Sequence, residues 1–132
     1  MTRIGMATIG QSPREDLVPY MQELFTKPVD IMQMGALDNL SAAEIAACGS
    51  YAGEVGIVAR LRDGSSVLLS HAKIMPRMQR IVDAMNAQGC RFVVILCGAD
   101  WSDIRSACLV VNPGRLFPSL ITALARGRRL GI

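Results

Sequence analysis

Two short stretches hold residues whose types and spacing suit chemistry on a small anion. In Leu96-Cys97-Gly98-Ala99-Asp100 a thiol stands at the end of an apolar run that begins at Phe92. Cysteine transfers protons readily, and a following glycine leaves backbone N–H groups open to a thiolate or a developing oxyanion. Cys97 would also serve as plain core filling, since cysteine is among the most buried residue types. The second stretch, Thr8-Ile9-Gly10-Gln11-Ser12-Pro13-Arg14, reads as a strand turning into a helix. Gly10 permits close approach, Gln11 and Ser12 bring polar groups, and unpaired N–H groups at a helix start favour a carboxylate or phosphate. The glycine spacing and lysine of a P-loop are absent, and an ordinary capped turn has the same composition.

Other reactive side chains are sparse. His71 is the single histidine and has no acid partner nearby in sequence; Lys73 is one of two lysines and opens a helix. An ammonium there opposes the helix dipole, so it either meets an anion or is simply solvated. Met75, Met78 and Met85 recur at helical spacing and read as core. Cys48, Cys90 and Cys108 lack the setting of Cys97. With no C-x-x-C pair and one histidine, no zinc-type cluster can be assembled, so neither a metal nor another cofactor is expected.

The elements that must position these loops follow from periodicity. Arg3–Ile9 reads as a buried strand. Ser12 and Pro13 suit the start of a helix running to about Thr26, with Leu17, Val18, Met21, Leu24 and Phe25 on one face. Val29–Met34 is a second strand, and Ser41 with Glu44 forms a capping box for a helix to about Ala47. Ile57–Leu61 and Ser66–Leu69, joined by Arg62-Asp63-Gly64-Ser65, predict a hairpin. A helix from about Lys73 to Gln88 is closed by Gly89, and the wholly apolar Phe92–Leu96 suits a central parallel strand. Ser102 could cap a short helix, Leu109–Val111 is extended, Pro113–Ala125 is helical, and Leu130-Gly131-Ile132 resembles the opening of another strand. This order predicts a three-layer α/β domain with a mainly parallel sheet and a β-hairpin insertion.

At 132 residues the chain is expected to be one domain or a piece of one, and at 51% hydrophobic and 19% charged it is no disordered tail. Aromatics make up only 5%, arguing against a base-stacking platform. The net charge of +3 is concentrated at the end, where Arg126, Arg128 and Arg129 cluster. That cluster suits either an acidic partner or a helix C-terminus, and without interleaved aromatics nucleic acid is not the expected partner. No apolar run is long enough to span a membrane and the N-terminus lacks a signal-peptide pattern, so a cytoplasmic protein with reduced thiols is expected.

The segment Ala7-Thr8-Ile9-Gly10-Gln11-Ser12-Pro13-Arg14-Glu15-Asp16 resembles the AroM family. So do Met34-Gly35-Ala36-Leu37-Asp38-Asn39-Leu40-Ser41, Ala59 to Gly64, Ile95 to Gly98, Asn112 to Arg115 and Gly127 to Ile132, which together span the chain. The family is similar to the aspartate/glutamate racemase superfamily, whose members place an active site between two α/β lobes. The resemblance implies that residues 1–132 form the first lobe, and that Cys97 is its acid/base thiol. It further implies that Gln11 and Ser12 lie where that superfamily binds substrate; Arg14 and Lys73 match family-typical positions without an assigned role. Gly10, Gln11, Ser12, Arg14, Gly98 and Ala99 are the expected carboxylate-binding residues. The racemases carry Asn-Thr where this chain has Gly98-Ala99, so one carboxylate-holding hydroxyl is lost. The implied function is a cofactor-independent isomerase, racemase or lyase, the rival being a non-catalytic carboxylate-binding or regulatory protein. One thiol reaches one face of a substrate, so the 132-residue chain is expected not to turn over substrate alone. Apolar surface meant for a second lobe would favour self-association into a homo-oligomer.

Overall fold

The computed structural model describes residues 1–131. Its four-stranded parallel sheet has the order β2-β1-β5-β6, with β1 at Thr2–Thr8, β2 at Val29–Gly35, β5 at Phe92–Ile95 and β6 at Leu109–Val111. The apolar run Phe92–Leu96 therefore occupies the interior position that its composition suggests. Between them a separate antiparallel pair, β3 (Gly56–Arg60) and β4 (Ser66–Ser70), forms the predicted hairpin. Its turn closes on Gly64 at φ +87°, a conformation that favours glycine.

Side chains alternate across the sheet and build two unequal faces. One face packs under α3 (His71–Ala87), where Ala7, Val93 and Ile95 meet Ile74, Met78 and Met85 in the main core. The hairpin joins this core through Ile57, Ala59 and Leu69. Ile4 and Met6 point the other way, toward a face flanked by α1 (Val18–Gln22) and α4 (Pro113–Leu124). Helices thus lie on both sides of the sheet, as the α/β reading requires. This second layer is thin: α1 buries only Val18 and α4 buries none of its residues. α2 (Ala42–Ala47) carries the expected Ser41–Glu44 capping box.

Four local expectations are overturned. The helix read from Pro13 is reduced to the five residues of α1, because Ser12 is not its cap. The Ser12 N–H and hydroxyl go to Asp38, and the Arg14 N–H goes to Gln33 Oε1. Ser102 caps no helix; its N–H and hydroxyl turn back to the Asp100 carboxylate. Leu130 and Gly131 are irregular and not in a strand, and Ile132 falls outside the described residues. The arginines Arg126, Arg128 and Arg129 do not decorate the last turn of α4, which holds no basic residue; they follow it.

Candidate functional site

All the candidate loops meet the C-terminal edge of the sheet, where open parallel sheets bind ligands. β1 and β5 are neighbours with Ala7 level with Ile95, and Leu96 N–H continues the ladder to Ala7 O at 2.8 Å. The Gly10–Arg14 loop and the Cys97–Asp100 loop therefore leave the sheet side by side.

The first loop is held from three directions. The Asp38 carboxylate accepts Ser12 N–H at 2.8 Å, the Ser12 hydroxyl at 2.5 Å and Gly35 N–H at 2.7 Å. The hairpin lies directly on Gly10, where any Cβ would collide with the Arg60 carbonyl. Gln11 Oε1 accepts Arg62 N–H at 2.8 Å, and the Arg62 guanidinium donates to Ser12 O while standing 3.7 Å from Asp38. Between loop and hairpin lies a cleft of about 350 Å³ lined by Gln11, Arg14, Asp16, Arg60 and Arg62. Arg14 is engaged bidentately by Asp16 at 2.8 Å and also donates to Thr8 Oγ1. This guanidinium holds the Asp16 carboxyl down at about 2.

The second loop presents Cys97, half-buried, with Ala99 N–H directed at its sulfur at 3.4 Å. Such a contact strengthens when the sulfur is anionic. Gly114 at the start of α4 packs on this loop so closely that a Cβ there would strike the Ala99 carbonyl. Beyond it, Asp100 accepts from Ser102 and Asn112 and pairs with Arg115 at 3.5 Å, and the Ser102 bonds lower its pKa. Cys97 and Gly98 open onto an apolar groove of about 550 Å³ between α1 and α4, together with Met21, Leu96 and Phe117. The structure thus separates the sequence candidates into adjoining spaces. Gln11 and Arg14 line the polar cleft, Cys97 and Gly98 line the apolar groove, and Gly10, Ser12 and Ala99 shape the loops between.

His71 and Lys73 are placed as supports. The His71 ring stacks on buried Trp101 at 4.4 Å between centroids, and its Nε2 sits 2.9 Å from Asp100 O. Lys73 Nζ donates to Gly49 O at 2.8 Å, lies 4.1 Å over the Tyr51 ring and stands 4.0 Å from the Glu54 carboxylate, contacts that fasten the 49–54 loop. Cys90 is buried, and burial pushes its thiol pKa up. Sequence reasoning missed Asp38, Arg60 and Arg62. Their signal was contact across the chain, 26 residues for Ser12–Asp38 and 51 for Gln11–Arg62, which periodicity does not carry.

Fold and edge geometry define an α/β protein with a parallel sheet whose C-terminal edge carries a thiol loop and an arginine-lined cleft. Residues 4–132 match the family model described as AroM protein, and the chain belongs to that family. No curated protein and no solved structure matches it. Among the described residues no helix is long and apolar enough to cross a membrane.

Proposed function

We propose that the chain binds a small carboxylate at this edge and that Cys97 is the acid/base group of a cofactor-independent isomerase-type reaction. The observation that carries the reading is the Ala99 N–H on the Cys97 sulfur at the end of a central strand, beside the arginine cleft. The Cys97 thiolate would take the α-proton and become a thiol, leaving the electron pair on the α-carbon, delocalised into the carboxylate. Return of a proton from the thiol regenerates the thiolate. Gln11, Arg14 and the N–H groups after Cys97 would orient the carboxylate, while Ser12, bound to Asp38, would shape the loop. Resemblance to the two-lobe racemases supports this assignment, with a second thiol required for inversion.

A second reading, carboxylate binding without catalysis, is favoured by a specific feature. Arg14, Arg60 and Arg62 line a cleft whose lining does not include Cys97. The readings separate by titrating the chain with small amino acids and carboxylates under NMR, then incubating the complex in D₂O. The catalytic reading predicts deuterium uptake at the substrate α-carbon without inversion, because one thiol serves one face, and loss of that uptake in Cys97→Ala. The binding reading predicts shifts of the Gly10–Arg14 amides that survive Cys97→Ala, with no uptake in either protein.

A further inference from the structure

We infer that Arg60 is the anchoring cation of the cleft, and that the ligand it takes carries one carboxylate and not two. The inference rests on the reading that a small carboxylate binds at this edge, and it adds the anchoring group and the ligand class. Three guanidinium groups line the cleft, those of Arg14, Arg60 and Arg62. Two of them have their charge met inside the chain. Arg14 is clasped by both oxygens of Asp16 at 2.8 Å, so it keeps N–H groups to orient a ligand but little charge to attract one. Arg62 donates to the Ser12 carbonyl and stands 3.7 Å from the Asp38 carboxylate. Among the described residues the exposed Arg60 side chain makes no hydrogen bond or ion pair.

The backbone beneath Arg60 is fixed while its guanidinium is unpaired. Arg60 ends β3, level with Ser66 of β4, and its carbonyl lies against Gly10 and accepts Gln11 N–H at 3.5 Å. The side chain passes beside the hairpin turn, with Nη2 3.6 Å from where a Cβ on Gly64 would stand. Its charge reaches across the cleft, because the Asp16 carboxyl is held down first by Arg14 and more weakly by Arg60. An unpaired guanidinium offers two parallel N–H donors in a fork that fits one carboxylate. The facing wall carries Glu15 and Asp16. A second carboxylate on the ligand would meet those like charges and no other unpaired cation of the cleft, which selects against dicarboxylates.

NMR titration of the folded chain with butanoate and with succinate tests this, read from the Gly10–Arg14 and Arg60–Gly64 amides. Butanoate should bind, and succinate no more tightly. Arg60→Gln should weaken butanoate roughly tenfold or more, and Arg60→Lys, which keeps the charge but not the fork, should fall between. Because Arg60 is exposed, both variants should keep the wild-type far-UV circular dichroism. Arg128→Gln, outside the cleft, should change neither acid. Asp16→Asn releases the charge of Arg14 and should tighten succinate roughly tenfold, with a smaller gain for butanoate. Butanoate binding indifferent to Arg60→Gln, or succinate bound roughly tenfold tighter than butanoate by the wild type, would overturn this inference and leave carboxylate binding at this edge standing. A wild type that binds neither acid would overturn both.

Discussion

Asp38 holds Ser12 by two bonds at once, accepting its N–H at 2.8 Å and its hydroxyl at 2.5 Å. The loop that looked like a helix start is therefore a side-chain-bonded bend, and its N–H groups are spent on the protein itself. An anion at this edge would be met by the guanidinium groups of the cleft.

Asp38→Ala should destabilise the domain by about 2–4 kcal/mol, because three donors lose a partly buried charged acceptor. Arg62→Ala should cost about 0–1 kcal/mol, since that side chain is 61% exposed and its ion pair is long. Urea unfolding of both variants checks the ranking. Equal losses would mean that the hairpin, and not Asp38, secures the loop.

Gly98 in the thiol loop and Gly114, packed on it from the start of α4, should behave oppositely. Gly114→Ala drives a Cβ into the Ala99 carbonyl and should cost about 1–3 kcal/mol while displacing α4 from the loop. Gly98→Ala adds a Cβ where no heavy atom lies within 4 Å, and should change stability by about 0.5 kcal/mol or less. Thermal melts of the two variants would expose a reversed order.

The Arg14–Asp16 pair predicts a weak acid dependence. The Asp16 pKa is depressed to about 2 in the folded chain, so the pair stabilises fully above the unfolded value of about 4. That contribution fades as pH falls toward 2. Asp16 is 40% exposed, so solvent screening holds the effect to about 1 kcal/mol or less. The stability gap between wild type and Asp16→Asn should shrink on acidification from pH 5 to pH 2; a gap that widens would contradict the pairing.

Periodicity made the strands, the hairpin and α3 legible, because each buries a face whose apolar spacing is written locally. The Ser41–Glu44 box was legible for the same reason: both partners lie within one turn. What failed was the choice between competing local bonds. Ser12 and Ser102 have the composition of helix caps, yet each found a carboxylate, Asp38 across the sheet edge and Asp100 two residues away. Cys97 stood out because a strand end and a glycine are visible in sequence. The arginines that share its edge come from a hairpin whose docking site, Gly10, gives no hint of its partner.

The central claim, that Cys97 is the reactive group of a carboxylate site, is tested most directly by the alkylation rates of the four thiols. The folded chain is treated with iodoacetamide across pH, and each site is read by mass spectrometry with and without small carboxylates. Cys97 should label first and be slowed by a bound carboxylate, while Cys90, buried and with its pKa raised, should label last. Faster labelling of Cys48 or Cys108, or a Cys97 rate that no carboxylate alters, would contradict the account.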